Sequence, residues 1–318
     1  MSTSYLQCSS SDASEHAAAL HEWNQRYEQV SQGRFAGSFT RVQLDDFLVF
    51  RETANRTLVQ SGRVCTEMVA IGFVRSAGDR GRFCGQDLQQ GCFFRNTGNS
   101  TFQVVTGADW VLDAVSVPQR ALDALQADMG EDAPPGGASG PEVMAAATKS
   151  NAELQAMMDF ALKGAAASAS MQHSQALRMF KLSLAAAVLQ CQQPLAKARA
   201  SRAMENKQRI VSQTRAYMEQ HPESVLAVPD VCKAIGTSRR ALQYAFEDVL
   251  QISPVAYLRL MRLNRVRASL LQPSAGSVGD VAARWGFWHL SRFAADYKSL
   301  FGELPSATLQ RCSALAPR

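Results

Sequence analysis

The sequence predicts an α+β protein with a β-rich N-terminal domain, a helical middle segment and an all-α C-terminal domain. Three observations predict it. From Phe35 to Val117, short β-branched and aromatic runs alternate with Gly, Asn and Asp. After a Pro/Gly/acid stretch, Gly130–Glu142, the chain turns alanine-rich, with apolar residues three and four apart. Asp230, Val231 and Gly236 then recur fifty residues later as Asp280, Val281 and Gly286. These features place boundaries at 1–129, 130–200 and 201–318, and 318 residues are enough for more than one core.

Residues 14–31 read as a helix entered at Ser14 and ended by Gly33. His16 and His21 lie five apart, about 140° round such a helix, which is poor geometry for a shared metal. The runs "FTRVQL", "FLVFRE", "RTLVQSG", "EMVAIGFVR", "CFFRN", "TFQVVTG" and "WVLDAVSV" predict a meander closing into a β-sandwich or barrel of cupin-like size. A catalytic metal in such a barrel needs inward imidazoles, and no His lies between Phe35 and Val117. This absence stands against the alternative reading, a cupin-like enzyme with a helical regulatory appendage. No Ser/His/Asp or Cys/His grouping and no phosphate loop stands out either, so neither metal nor cofactor is expected.

Pro118 closes the β region, and Arg120–Met129 predicts a short helix. Gly130–Glu142 reads as a linker, followed by helices at about Val143–Lys163 and Ser174–Cys191. In the last, Leu177, Phe180, Leu184, Val188 and Cys191 form an apolar stripe. It serves either as a dimer seam or as packing onto the protein's own β domain.

Charge is unevenly spread. Residues 1–200 hold 17 Lys/Arg against 19 Asp/Glu, whereas residues 201–318 hold 16 against 9, net +7. A polyanionic partner would meet the C-terminal part. Seven scattered cysteines with no CxxC pair argue for a reducing compartment rather than a disulfide framework. The N-terminus has no basic start and no apolar run, and no stretch approaches eighteen apolar residues, so a cytoplasmic protein with no membrane partner is expected.

The duplicated C-terminal landmarks frame two copies of a short helix, a turn at Gly and a longer helix: two helix-turn-helix motifs. At 100° per residue, Leu242, Ala245, Phe246 and Val249 fall on one side of the first long helix. In the second copy Leu290, Phe293, Tyr297, Leu300 and Phe301 make the core stripe. The opposite faces carry Arg240, Gln243 and Tyr244, and Trp288, Ser291 and Arg292. Such side chains can reach base edges in a major groove, while Arg239, His289 and Lys298 suit phosphates or the flank. Between the copies, Pro254–Leu271 predicts a helix of eighteen residues, roughly 27 Å, studded with Arg259, Arg262, Arg265 and Arg267. That length suits two reading helices in successive major grooves.

The region from about Arg209 to Leu309 resembles the DNA-binding domain of the AraC/XylS family of bacterial transcription regulators. Gly286, Phe287, Ser291, Phe293, Tyr297, Lys298, Phe301, Gly302 and Pro305 match the second motif, and Ser238, Leu242, Phe246, Pro254, Tyr257 and Arg262 the first. The form "WGFWHL…FAADY…LFGELPSATL" is similar to ethanolamine-operon-type regulators. Gln251 departs from a usual Gly, Thr308-Leu309 from an aromatic-Arg ending, and Ala295 from a contacting Arg. The resemblance implies double-stranded DNA as partner, a homodimer, RNA polymerase if the protein is an activator, and control by a small-molecule effector or a regulatory protein. It also implies that the β domain is a sensor. There Phe47, Phe50, Arg51, Phe94 and Arg95 either line a pocket for a small acid or amine, or simply alternate in and out along their strands.

Overall fold

The computed structural model describes residues 3–20, 23–78, 81–98, 100–129, 141–144, 149–163, 173–191, 202–221 and 225–315. His21 and most of the Gly130–Glu142 stretch lie outside them. The chain divides into two units. One comprises residues 1–27, 36–55 and 60–198; the other comprises 28–35, 56–59 and 199–318.

The first unit holds one whole sheet and most of a second. β1 (Thr3–Ser10), β3 (Gly37–Leu44), β4 (Phe47–Ala54), β11 (Trp110–Pro118), β6 (Met68–Ser76), β9 (Phe93–Thr97) and β12 (Glu142–Met144) form one, in that order. The second has the order β2 (Arg26–Gln29), β5 (Leu58–Arg63), β10 (Thr101–Val105), β7 (Gly81–Phe83), β8 (Gln86–Leu88). Each of the seven runs quoted above falls on a strand. The short or polar strands β1, β2, β7, β8 and β12 escaped the sequence reading, because they lack a β-branched run. Two expectations need correction. The helix expected over 14–31 is only α1 (Ala13–Ala18), capped by Asp12 Oδ1 accepting from Ser14 N at 2.8 Å, and Arg26–Gln29 is strand. Glu142, placed in the linker, opens β12 and accepts from Arg95 at 3.0 Å, and β12 also takes Val143 and Met144 from the helix expected over Val143–Lys163, where α3 begins at Lys149.

Period-two alternation sorts the larger sheet into two faces. Val69, Ile71 and Phe73 on β6, Val115 and Val117 on β11, and Phe47 and Val49 on β4 point to one side. There they bury α2 (Gln119–Asp128), α3 (Lys149–Leu162) and α4 (Ser174–Cys191) through Leu122, Leu154, Met158, Leu184 and Val188. Polar groups on that face are paired. Arg51 forks onto Asp113 at 2.6 and 2.9 Å and reaches Asp159 of α3 at 3.0 Å, and Arg75 joins both carboxylates. The opposite face, with Phe50, Glu52, Gly72, Phe94 and Ala114, looks into a cavity that the smaller sheet also lines.

In the second unit, α5 (Arg202–Gln220), α6 (Val228–Ile235), α7 (Arg239–Leu250), α8 (Pro254–Leu270), α9 (Val278–Arg284), α10 (Leu290–Phe301) and α11 (Pro305–Leu315) follow in order. Leu263, Val266, Leu270, Val281, Trp285, Phe293, Tyr297 and Phe301 form one buried cluster. The segment Glu28–Phe35 belongs to this unit too, which the sequence reading did not foresee. Gln29 N donates to Asn264 Oδ1 (3.0 Å), Asn264 Nδ2 donates to Gln29 O (2.9 Å), and Gln29 Nε2 donates to Leu300 O (2.7 Å).

Candidate nucleic-acid interface

The first motif is built from local capping. Asp230 Oδ2 accepts from Ala227 N at 2.9 Å to start α6, and Gly236 at φ +63° ends it in the left-handed region. Ser238 Oγ then accepts from Ala241 N at 3.1 Å and starts α7. Leu242, Ala245, Phe246 and Val249 are buried as expected, and Phe246 packs on Tyr257 with ring centroids 5.3 Å apart. Gln251, where the resemblance led one to expect Gly, keeps the left-handed cap at φ +58° and donates to Glu247 O at 3.0 Å. The backbone geometry of a Gly cap therefore survives the substitution.

The second motif repeats this design. Ser277 Oγ accepts from Asp280 N at 3.1 Å to start α9, Gly286 makes the turn at φ +76°, and Gly302 caps α10 at φ +70°. Phe293, Tyr297, Leu300 and Phe301 are buried. Leu290 is not: it is 51 % exposed at the first turn of α10, where the helix projects past its core. Leu290 therefore leaves the core stripe and joins the outward face.

That outward face gathers the residues expected to read DNA. Trp288 is 76 % exposed, and His289, Ser291, Arg292 and Lys298 are all exposed beside it or along α10. On α7, Arg239, Arg240 and Tyr244 are exposed and Gln243 is half-buried. Arg240 donates to Tyr244 Oη at 3.2 Å with its guanidinium 5.4 Å above the ring, and Gln243 donates to Glu247. Both are i,i+4 pairs on one helix face. Any new partner of Arg240 or Gln243 would have to displace these contacts.

The arginines of α8 are spent inside the protein. Arg259 pairs with Asp296 of α10, Arg262 lies 5.3 Å over Phe287, and Arg265 lies 5.4 Å over Trp285. Arg267 is buried and donates to Glu303 Oε1 at 2.8 Å. Glu303 also accepts from Thr308 Oγ1 (2.8 Å) and Arg311 (3.0 Å), and Tyr297 Oη donates to Thr308 Oγ1 (2.9 Å). Burial alone would raise the Glu303 carboxyl, yet the Thr308 hydrogen bond and the two guanidinium groups hold it below its ordinary value. Thr308, one of the departures from the family pattern, thus ties α8, α10 and α11 together. At seventeen residues α8 is about 26 Å long.

The expected ligand set splits by strand parity. Phe50 and Phe94 line the cavity of the first unit, whose empty volume is about 440 Å³ including its mouth. Phe47, Arg51 and Arg95 sit on the opposite face of the same strands. Phe47 lies in the core beneath the helices, Arg51 is held by Asp113 and Asp159, and Arg95 by Glu142. The expected dimer stripe needs a similar correction: Leu177, Leu184 and Val188 are buried against the protein's own sheet and helices, with Phe180 half-buried beside them. The alternative of self-packing accounts for that stripe.

A polar-faced helix following a glycine turn and resting on a buried apolar stripe, present twice, defines a helix-turn-helix domain. Residues 231–311 match the family described as Helix-turn-helix domain. The probable thc operon regulatory protein of Rhodococcus erythropolis is 38% identical over 96 residues, 30% of this chain and 29% of that protein. The XylDLEGF operon transcriptional activator of Pseudomonas putida is 37% identical over 98 residues, 30% of each. Among solved structures, the AraC-like transcriptional activator CuxR is similar over 79% of this chain and 86% of that one, at 15% identity and a TM-score of 0.36. The C-terminal region is a helix-turn-helix domain of the AraC/XylS type. The chain spans about 30% of the length of these two curated relatives.

Proposed function

We propose that the protein is a sequence-specific transcription regulator that reads two successive major grooves of double-stranded DNA and is controlled through its N-terminal unit. The observation that carries this reading is the duplicated motif. α7 and α10 each rest on a buried apolar stripe and turn Arg240, Gln243 and Tyr244, or Trp288, Ser291 and Arg292, outward. Arg and Gln there suit bidentate contacts to base edges, and Arg239, His289 and Lys298 suit phosphates. The relatives named above are a regulatory protein and a transcriptional activator, which supports activation, with RNA polymerase as a further partner. We read the protein as a cytoplasmic regulator and not as an enzyme, acting as a homodimer. Among the described residues no helix is long and apolar enough to cross a membrane.

Control by an effector is supported by the cavity and by the chain that leaves it. Tyr27 lines the cavity, and the next two residues, Glu28 and Gln29, are hydrogen-bonded to Tyr257, Asn264 and Leu300 of the C-terminal unit. Selection of bound duplexes from a random DNA pool tests the function, followed by salt titration of the best sequence against a scrambled one. Two short enriched blocks about one helical turn apart, bound about 10³-fold or more above scrambled DNA, are expected. A salt-steep, sequence-blind affinity would sink the reading.

A further inference from the structure

The cavity of the first unit has a composition that selects among ligands. Trp23, Phe50, Phe94 and Phe102 supply ring walls; Trp23 meets Phe50 and Phe102 edge-on, with centroids 5.5 and 6.0 Å apart. Phe94 lies flat on the sheet because position 72 is Gly: a Cβ there would stand 2.3 Å from the Phe94 ring. Two observations point to an occupant with a particular polar group. Asn96 is 3 % exposed, lines the cavity, and its Oδ1 has no hydrogen-bond partner among the described residues. Its Nδ2 donates to Ser100 O at 3.3 Å, so the orphan atom of this side chain is the acceptor. Gln25 Nε2, on the same lining, is a donor unpaired among the described residues that the π face of a ring can meet. A buried acceptor left unpaired is destabilising, and a donor on a ligand restores the pairing.

The second observation concerns charge. Among the described residues no Lys or Arg lines the cavity, whereas Glu52 does. Glu52 accepts from Gln60 at 3.1 Å and stands 3.2 Å from His16 Nε2. Tyr27 beside it keeps its hydroxyl proton: burial, then the neighbouring Glu52, push its pKa well above the ordinary value. A carboxylate ligand would enter an apolar space with no Lys or Arg among the described lining residues to meet it and an acidic side chain already present.

We propose that this cavity binds an uncharged aromatic molecule carrying a hydrogen-bond donor, with the donor on Asn96 Oδ1 and the ring among Trp23, Phe50, Phe94 and Phe102. The inference rests on the reading of the N-terminal unit as the site of control and supplies the chemistry of its ligand. The cavity face of β4 and β9, with Phe50, Glu52, Phe94 and Asn96, is the face that recognises it.

Calorimetric titration of the full-length protein, without DNA, tests this with three probes of similar size. Indole offers a ring N–H, 1-benzothiophene replaces that donor by sulfur, and indole-3-carboxylate adds a negative charge. Indole is expected to bind at least tenfold more tightly than either of the others. In Asn96→Leu, indole should fall to within about threefold of 1-benzothiophene; should that variant not fold, the wild-type comparison still decides. Equal binding of indole and 1-benzothiophene to the wild type overturns the role of the donor. Tightest binding by the carboxylate overturns the charge argument, and no heat from any probe at millimolar concentration overturns the site. DNA selection is measured separately, so specific DNA binding without arene binding removes only this inference, while loss of specific DNA binding removes the proposed function whatever the calorimetry gives.

Discussion

Tyr257 Oη donates a 2.7 Å hydrogen bond to Glu28 Oε2, joining residues 229 apart in sequence. Both side chains are buried, and Arg215 Nη2 lies 3.3 Å from the same oxygen, its guanidinium 5.9 Å above the Tyr257 ring. A residue near the N-terminus is thereby part of the core beneath the first helix-turn-helix motif.

Removing the hydroxyl in Tyr257→Phe should cost about 2 kcal/mol, because a hydrogen bond to a charged acceptor is lost while the ring stays. Glu28→Ala should cost more, about 3–5 kcal/mol, since it removes the carboxylate nearest the buried Arg215. Urea melts of the full-length protein check both. Equal, negligible losses would show that the segment Glu28–Phe35 does not belong to the C-terminal core.

Phe293 is fully buried between Phe287 and Tyr297, at centroid distances of 5.0 and 5.7 Å. Phe293→Ala should destabilise by about 3–5 kcal/mol and abolish DNA binding through unfolding. Arg292, one residue earlier and exposed, predicts the opposite phenotype. Arg292→Ala should leave the melt unchanged and cost about 1–3 kcal/mol of DNA affinity at particular base pairs. Uniform weakening over all sequences would reassign Arg292 to phosphate contact.

The two turn glycines should differ. Gly236 (φ +63°) has nothing within 4 Å of an added Cβ, so Gly236→Ala should cost only the left-handed strain, about 1 kcal/mol. At Gly286 (φ +76°) the added Cβ would stand 2.6 Å from Val225 Cγ1. Gly286→Ala should therefore cost clearly more in a urea melt, and Val225→Ala in the same chain should recover the excess. Equal losses at the two turns would refute the close approach.

Acid should weaken the C-terminal unit through Glu303. Its folded pKa lies below the ordinary 4.5, so its stabilisation is complete above about that pH and is lost as pH falls through the lowered folded value. Melts followed by helical circular dichroism between pH 7 and pH 3 should show less acid loss in Glu303→Gln than in the wild type. An identical pH profile would place the acid sensitivity elsewhere.

The C-terminal domain was the more legible part of the sequence. Capping serines, turn glycines and a 3.6-residue apolar period act within a few residues, so Ser238, Gly236, Phe246 and Phe293 declare their roles locally. Leu290 misled because the wheel gives a side chain its direction but not the point where the helix leaves its core. In the β unit the seven apolar runs were readable, and the two-residue alternation along them was too. Which parity faces the cavity was not: Phe50 and Arg51 are neighbours in one run, and only the pairing of two sheets on one side and three helices on the other separates them.

Local sequence by itself determined the two helix-turn-helix motifs, the outward faces of their longer helices and the existence of a β-rich N-terminal part. Tertiary structure alone decided that the stripe on α4 is internal packing, that the arginines of α8 serve stacking and ion pairs, and that Glu28 and Gln29 join the C-terminal core. The physical reason is range. Periodicity and capping are set by neighbours along the chain, whereas the partner of a buried Glu or Arg is chosen among groups hundreds of residues away, by whichever arrangement leaves the fewest charges and polar atoms buried alone.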